Sequence, residues 1–199
     1  MTKRRADYCP YCGTALETTV FEDRDRRYCP DCEEIVFQNP TPGAHVVVLD
    51  GGGPSPPGNA GGPRDDDSVL LIERGIEPDR GAWAVPGGIL EVDEPASVGA
   101  ARELEEETGL AVDPDALELV RTGFDVGDPE DGSYLSICFA VERADTRGQV
   151  SAGAEASDAR FWSLAAIRDT DDWIRAVDRR RIEAALERLR GTSVDLAGE

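Results

Sequence analysis

The chain has 199 residues and a formal net charge of −20, and 40% of its residues are hydrophobic. This length accommodates one ordinary domain and a small module, because domains usually hold roughly 100–200 residues. The acidity argues against binding to nucleic acid or to an anionic membrane, since both require positive potential on the protein.

Four cysteines form two C-x2-C pairs near the N-terminus. Cys9 and Cys12 make the first pair and Cys29 and Cys32 the second, with sixteen residues between the pairs. This spacing is typical of zinc sites, and four thiolates complete a Zn²⁺ shell without an open position for a catalytic water. Disulfides and a redox-active C-x2-C are the alternatives, disfavoured by a reducing cytosol and the lack of a βαβ pattern. We predict a zinc ribbon over residues 1–38 with one structural Zn²⁺, too acidic to bind nucleic acid.

The main domain is predicted to span residues 39–191, and it opens with two strands. Residues 44–50 and 68–74 are rich in Val, Leu and Ile, which is typical of buried strands. Residues 51–67 between them are rich in Gly and Pro and predict a flexible insertion loop, with a lid as the alternative. His45 is the only histidine, and we interpret it as a structural residue at a strand start rather than a catalyst.

A loop over residues 75–86 follows the second strand. Trp83 and Pro86 are expected to brace this loop by packing. Arg74 and Arg80 are candidates for binding a substrate phosphate, and solvation at the surface is the equal alternative for each.

Residues 87–110, GGILEVDEPASVGAARELEEETGL, predict a glycine turn, a short loop and a helix. Pro95 suits the first helical turn, and Gly109 suits the position after the last turn. Three glutamates share one face of this helix, and three apolar residues form a stripe expected to pack inward. The glutamates are Glu103, Glu106 and Glu107, and the apolar residues are Val98, Ala101 and Leu104. A divalent cation with oxygen ligands would relieve the repulsion between the glutamates, whereas a solvated acidic face is the alternative.

The rest of the chain predicts three more strands and a final helix. The strands cover residues 116–126, 134–143 and 160–164, and the helix covers 172–190, ending at Gly191. Trp173 belongs to the apolar residues of that helix, which is expected to cover the sheet. Phe124 and Tyr134 are interpreted as core residues, with stacking on a nucleobase as the alternative, and Cys138 as a buried apolar residue. Residues 192–199 are expected to form a loose tail.

The glutamate helix has a constrained order of residues. From Gly88 there are five residues, then Glu94, then seven, then RELEEETGL over residues 102–110. This resembles the Nudix box, G-x5-E-x7-R-E-U-x-E-E-x-G-U with U a bulky aliphatic, at every defined position. The resemblance implies an α/β fold, the Nudix α/β/α sandwich with a mixed sheet, and metal-dependent hydrolysis of a diphosphate attached to a nucleoside.

The resemblance also implies roles for individual residues. Glu103, Glu106 and Glu107 would be ligands of two or three Mg²⁺ or Mn²⁺ ions, with the carbonyl of Gly87 as a further ligand. Arg102 would pair with one of the glutamates and hold its carboxylate in line, and Glu94 would tie the loop to the helix. The family pattern leaves the general base open, and our candidates are Glu103 and then Glu155, which lies in the loop before the last strand.

The order of ribbon, Asn39-Pro40 and strand is similar to a Nudix subgroup with an N-terminal zinc ribbon, which includes enzymes that hydrolyse FAD and ADP-ribose. The S-Q-P-W stretch of NADH pyrophosphatases is absent after the box. We therefore expect ADP-ribose, FAD or a similar dinucleotide as substrate. A nucleoside-triphosphate sanitiser and a non-catalytic Nudix sensor are the alternatives.

The charge and the N-terminus bear on the setting of the protein. The excess of Asp and Glu over Lys resembles that of proteins adapted to high intracellular salt, which would explain the charge without a partner. No apolar run reaches the ~20 residues of a membrane span. The basic start lacks an apolar segment, so it does not predict a secretory signal. We expect a cytoplasmic protein from a halophile that binds a nucleotide, with a homodimer as the assembly state to test.

Overall fold

A computed structural model describes residues 6–51, 67–126, 132–191 and 195–196. These residues divide into two compact units: one holds those up to Thr41 together with 124–126 and 132–135, and the other holds the rest. Residues 52–66 of the predicted insertion loop and most of the predicted tail lie outside the described residues. Within the described ranges, no helix is both long enough and apolar enough to cross a membrane.

The first unit contains an antiparallel sheet of three short strands with β2 in the centre. The strands are β1 (Glu17–Phe21), β2 (Arg24–Cys29) and β3 (Glu34–Val36). Glu22 and Asp23 have φ values of 51° and 56°, as a two-residue turn between antiparallel strands requires. The buried apolar side chains of this unit are few: Cys9, Leu16 and Cys29. So small a core gives little hydrophobic stabilisation, and units of this kind usually need metals or disulfides.

The remaining strands build a seven-stranded sheet and one separate pair. They are β4 (Thr41–Asp50), β5 (Ser68–Arg74), β6 (Trp83–Ala84), β7 (Gly87–Ile89), β8 (Ala111–Val112), β9 (Glu118–Val126), β10 (Ser133–Glu142), β11 (Thr146–Arg147) and β12 (Ala156–Ser163). The strand order in the large sheet is β12-β5-β4-β10-β9, with β6 paired to β5 and β7 paired to β4. Strands β8 and β11 form the separate antiparallel pair.

In the described part of the chain, three α-helices and two short 3-10 helices accompany these strands. The α-helices are α1 (Ala96–Thr108), α2 (Leu164–Asp169) and α3 (Ala176–Arg190), and the 3-10 helices are Pro114–Ala116 and Arg143–Asp145. Helices α1 and α3 end at Gly109 and Gly191 in the left-handed conformation, with φ of 71° and 68°, which confirms both predicted ends. Helix α2 was not predicted; Ser163 caps it by accepting a hydrogen bond from the N–H of Ala166 at 3.1 Å.

The large sheet separates two apolar cores, because alternate residues of a strand point to opposite faces. In β4, Val47 and Leu49 belong to one core, and Val46 and Val48 belong to the other. The first core also contains buried side chains of α2 and α3, and the second contains those of α1. The described layers are therefore helix, sheet and helix, with α1 on one face and α2 and α3 on the other.

The predicted elements differ from the structure at a few boundaries. The strand predicted over 68–74 is confirmed with the same bounds, and that over 116–126 begins later because a 3-10 helix precedes it. The predicted glycine turn is instead strand β7, paired with β4. The helix predicted over 172–190 begins only at Ala176, which leaves Trp173 outside it.

Helix α3 fixes two segments at the edges of the predicted loop and tail. Arg190 pairs with the fully buried Asp67, at 3.3 Å between Nε and Oδ1. Leu196 is 1% exposed; its N–H donates to Glu183 Oε1 at 2.7 Å, and its carbonyl accepts a hydrogen bond from Arg179 at 2.9 Å. The prediction of a loose tail is wrong at Leu196, because an apolar contact and two polar contacts hold it.

Candidate active site

Helix α1 carries the three box glutamates, and one of them, Glu107, lies on its buried face. Ala100, Leu104 and Glu107 are buried and lie along one stripe of the helix. Val98 was predicted to face inward but is 41% exposed, so that prediction is wrong. The buried stripe is rotated toward Glu107, which is 8% exposed, whereas the side chain of Glu106 is 60% exposed.

Strand β7 approaches the helix through two glycines. Gly87 and Gly88 pair with His45 and Ala44 of β4. A Cβ atom on Gly87 would lie 2.3 Å from the carbonyl oxygen of Ala44, and one on Gly88 would lie 2.5 Å from the carboxylate of Glu103. At Gly87 only glycine admits this approach, because the neighbouring atom is backbone and φ is 150°, whereas a side chain on Gly88 would displace the carboxylate of Glu103. His45 is buried beside Gly87, in keeping with the structural role predicted for it.

The two inward carboxylates lie in surroundings that disfavour their charge. Glu107 Oε2 accepts a hydrogen bond from the backbone N–H of Gly87 at 2.7 Å. Burial nevertheless raises the pKa of Glu107 to about 7, and the like charges of Glu103 and Glu155 add to this effect. Burial also raises the pKa of Glu103. A cation bound between these groups would remove the electrostatic cost of ionising them.

Glu107→Gln is expected to stabilise the protein when Mg²⁺ and Mn²⁺ are absent, and the gain should grow with pH. The pKa of Glu107 is about 7 in the folded state against 4.5 for a free glutamate, so the folded state holds the proton more tightly. The free energy of unfolding therefore falls as pH rises between these values. Gln escapes this loss and still offers an acceptor to the Gly87 N–H. We expect almost no gain at pH 4.5 and a gain on the order of 1–3 kcal/mol at pH 8.

Urea unfolding at the two pH values measures this gain, in buffer without a strong chelator so that any metal bound to the cysteines stays in place. Glu105→Gln is the matched control, because Glu105 is exposed on the same helix. Its effect should stay within about 0.5 kcal/mol at both pH values. A Glu107→Gln protein no more stable than the wild type at pH 8 would contradict the prediction.

Arg102 connects three carboxylates around the start of the helix. It donates two hydrogen bonds to Glu94, at 3.1 Å from Nε and 2.7 Å from Nη2. Its Nη1 also donates to Glu103 Oε1 at 2.8 Å and to Glu106 Oε2 at 3.1 Å. These contacts lower the pKa of Glu94, whose Oε1 also accepts the N–H of Glu91 at 2.8 Å. The predicted pairing of Arg102 with a box glutamate is therefore present, and Glu94 joins the loop to the helix.

Two more predicted residues lie within electrostatic reach of Glu107. Glu155 is exposed in the turn before β12, where its carbonyl accepts the N–H of Gly75 at 2.8 Å. Its negative charge raises the pKa of Glu107, and the positive charge of Arg74 lowers it. Arg80 is exposed in the turn between β5 and β6. Within the described part of the chain, no hydrogen bond or ion pair joins it to the box glutamates. The structure thus brings Glu155 and Arg74 toward the box and leaves Arg80 at the surface.

The loop before Glu155 packs closely on the end of α1. The N–H of Gly153 donates to the carbonyl of Glu107 at 2.9 Å. A Cβ atom on Gly153 would lie 2.0 Å from the carbonyl oxygen of Glu106, so only glycine allows this approach. Sequence reasoning missed Gly153, because a single glycine among small residues has no spacing relation to the box.

The four N-terminal cysteines are the one candidate metal-binding group of this kind among the described residues, and their sulfur atoms all lie within 4.8 Å of one another. In the described ranges the box glutamates do not form such a group. Arg102 instead pairs with both Glu103 and Glu106.

The four cysteines meet in the first unit. The Sγ atoms of Cys9 and Cys32 lie 3.8 Å apart, and those of Cys12 and Cys29 lie 3.5 Å apart, with no disulfide among them. Hydrogen bonds with Thr14 lower the pKa of Cys12, and burial raises that of Cys29. Four sulfurs this close cannot all ionise without a cation, and thiolates are the preferred ligands of Zn²⁺ in structural sites.

The aromatic predictions had mixed outcomes. Trp83 is buried as expected, at 4.9 Å from the ring of Trp162, with the guanidinium of Arg160 at 4.5 Å from its ring centre. Cys138 is fully buried, as predicted. Phe124 is 58% exposed, so its assignment to the core is wrong. Its strand alternation resembled that of a core residue, but this part of β9 lies outside the two apolar cores of the sheet.

Two curated proteins share sequence with this chain. An ADP-ribose pyrophosphatase of Methanocaldococcus jannaschii is 36% identical over 99 residues, which are 50% of this chain and 56% of the relative. A MutT-like protein of Streptomyces ambofaciens is 48% identical over 54 residues, which are 27% of this chain and 33% of the relative. The matched segments thus span about half and a third of the lengths of these relatives.

Solved structures share the fold. A NUDIX hydrolase of Nitrosomonas europaea has a TM-score of 0.63 at 25% identity, covering 95% of this chain and 96% of that one. The NUDIX domain of Shewanella oneidensis NrtR, solved with ADP ribose, has a TM-score of 0.57 at 22% identity, covering 81% and 94% of the two chains. The predicted fold class, a Nudix fold with a mixed sheet and helices, is confirmed.

A family model supports the same assignment along most of the chain. The model described as NUDIX domain matches residues 57–183, which include the box, the glycines of β7 and the loop with Glu155. This match extends well beyond the box motif and covers more than half of the sequence. The chain therefore belongs to the Nudix family.

Proposed function

We propose that this protein hydrolyses the diphosphate of a nucleoside diphosphate linked to another moiety, with ADP-ribose, FAD or a similar dinucleotide as substrate. The observation that carries the proposal is the carboxylate set of α1, in which Glu103 and Glu107 face the glycines of β7 and Arg102 aligns Glu103. The relative named an ADP-ribose pyrophosphatase supports the substrate class.

The carboxylates fit a hard divalent cation. Glu103 and Glu107 are largely buried acids, and burial raises the pKa of both, although Arg102 pairs with Glu103 at 2.8 Å. Oxygen ligands of this kind suit Mg²⁺ and Mn²⁺. We propose that Glu103, Glu106 and Glu107 hold two or three such ions, with the carbonyl of Gly87 as a further ligand. When bound, the ions would neutralise charge on the phosphoryl oxygens and make a bound water more acidic.

The protein's own groups would complete the site. Arg102 acts as a positioning residue, because Glu94 holds its Nε and Nη2 while its Nη1 donates to the carboxylate of Glu103 at 2.8 Å. Glu103 is our first candidate for the general base that removes the proton of the attacking water, and Glu155 is the second. Arg74 and Arg80 are proposed to bind substrate phosphates. Arg74 has the stronger case, because its charge already acts on Glu107.

A nucleoside-triphosphate pyrophosphohydrolase is the second candidate function. The similarity to a MutT-like protein favours it, although that match covers a third of the relative. A non-catalytic sensor is the third, and it is disfavoured because a sensor does not need all three box glutamates.

A nucleotide panel separates these functions. The purified protein is incubated with ADP-ribose, FAD and nucleoside triphosphates in Mg²⁺ or Mn²⁺, at low and at high KCl. Release of AMP with ribose 5-phosphate from ADP-ribose supports the proposal. Release of pyrophosphate from triphosphates supports the second function, and nucleotide binding without any product supports the sensor.

The cysteine cluster is proposed to hold one structural Zn²⁺. Its four sulfurs leave no free coordination position, and the first unit has a small apolar core that a metal would supplement. We also propose that the acidic composition suits a cytoplasm of high salt, and that the protein binds neither nucleic acid nor membranes. Size-exclusion chromatography with light scattering would test for a homodimer.

A further inference from the structure

Trp173 is an exposed tryptophan in the second unit that packing does not explain. It is 55% exposed, whereas Trp83 and Trp162 are 4% and 8% exposed. The apolar spacing of residues 172–190 predicted that Trp173 would pack on the sheet as part of a helix. Helix α3 begins only at Ala176, three residues after Trp173. An indole left in water forgoes the stabilisation that its burial would give.

The backbone holds Trp173 against strand β6. Its carbonyl accepts the N–H of Trp83 at 2.8 Å, and the N–H of Arg175 donates to the carbonyl of Trp83 at 3.3 Å. After β6, two buried residues, Val85 and Pro86, lead directly to Gly87, whose N–H donates to Glu107. The backbone of Trp173 is therefore held beside β6, the strand that precedes the glycines of the candidate active site.

The same segment also holds the loop between β5 and β6. Arg175 lies 3.6 Å from Asp79 of that loop and 2.6 Å from Asp178, which is fully buried. Arg74, the last residue of β5, also contacts this loop, because its Nε donates to the carbonyl of Pro78 at 2.9 Å. The loop that contains Arg80 and contacts Arg74 is thus held to the segment that carries Trp173.

We propose that Trp173 is a specificity residue whose indole stacks on the nucleobase of the substrate. This inference rests on the proposed function. With the diphosphate at the box and at Arg74, the nucleoside needs an apolar surface beside the β5–β6 loop, and Trp173 offers one. An indole can stack on any nucleobase, because every base has a π-face. It therefore selects nucleosides over inorganic phosphates without selecting one base strongly.

Kinetics with ADP-ribose and Mg²⁺ test the inference. Trp173→Ala should raise KM about tenfold, the usual scale for losing one base–aromatic stack, and leave kcat within about twofold. Trp173→Phe should restore most of the loss, because it keeps an aromatic face. Leu119→Ala is the matched control: Leu119 is also 55% exposed but lies on strand β9, and its KM should equal that of the wild type.

A binding measurement avoids dependence on hydrolysis. Because the other two tryptophans are buried, quenching of tryptophan fluorescence by acrylamide reports mainly on Trp173. AMP should protect this fluorescence from the quencher, and ribose 5-phosphate, which has no base, should not. Protection by both compounds equally would overturn stacking.

The outcomes separate this inference from the proposed function. Hydrolysis of ADP-ribose with an unchanged KM in Trp173→Ala overturns the inference and leaves the function standing. Protection of Trp173 by AMP without hydrolysis of any nucleotide supports base stacking and contradicts the proposed hydrolase function. A dimer that dissociates in Trp173→Ala while KM stays unchanged assigns the indole to a contact between copies and overturns the inference.

Discussion

Glu106→Gln and Glu107→Gln are each expected to lower kcat at least ~100-fold, the scale seen when one electrostatic group at a reacting centre is lost. Gln has nearly the size of Glu, so the change removes charge and leaves packing intact. At position 107 it also keeps an acceptor for the N–H of Gly87, which lies 2.7 Å from the carboxylate. Turnover of ADP-ribose at saturating substrate, with Mg²⁺ as the only added metal, measures the effect.

Glu105→Gln is again the matched control, because it removes one negative charge from the same helix at an exposed position. Its kcat should stay within about twofold of the wild type. For Glu107→Gln, activity and metal-free stability should change in opposite directions, as is usual where a protein keeps uncompensated charge for function. Near-normal kcat in both box variants would contradict the proposal that Glu106 and Glu107 hold the catalytic metal ions.

Cys9→Ser is expected to abolish binding of one zinc per chain and to lower the melting temperature of the first unit. Cys9 is 4% exposed, and among the described residues it belongs to a core of three buried apolar side chains. A metal bound to the cysteines would therefore supply much of the folding free energy of this unit. Zinc content by mass spectrometry and thermal unfolding measure the two effects. The specific activity of the folded fraction should fall less than the melting temperature suggests.

Cys138→Ala is the control for this experiment. Cys138 is buried in the core of the second unit, so its loss destabilises the protein without removing a zinc ligand. This variant should keep one zinc per chain. A wild-type protein without zinc would contradict the metal assignment. Equal loss of activity in Cys9→Ser at unchanged melting temperature would instead assign the ribbon a part in catalysis.

Local patterns predicted the elements whose signals lie within a few residues. The strand over 68–74 followed from an unbroken apolar run, and both helix ends followed from glycines, because only glycine adopts positive φ without strain. The resemblance to the Nudix box implied the pairing of Arg102 with a glutamate, and Arg102 and Glu106 are four positions apart, which places them on the same face of the helix. The clustering of the four cysteines followed from their spacing.

Other features depend on neighbours distant in sequence. Periodicity placed Val98 inside and left the burial of Glu107 unstated, because the direction of the inward stripe depends on which strand faces the helix. Trp173 fitted a helical pattern, but backbone hydrogen bonds with Trp83 hold it in an extended segment. Gly153 gave no signal, because its need for a small side chain arises only from the approach of α1.

The sequence by itself determined the family, the fold class and the residue types of both candidate metal sites, because motif spacing is a property of one chain segment. The tertiary structure decided the environment of each charge. Glu107 is buried against Gly87 and Glu106 is exposed, although the two residues are adjacent in the chain. Burial raises the pKa of Glu107, and the groups that act on it come from elsewhere in the chain: the N–H of Gly87 in β7, Arg74 at the end of β5 and Glu155 before β12. Those contacts form only when segments about 20 to 50 residues apart in sequence meet in the folded protein.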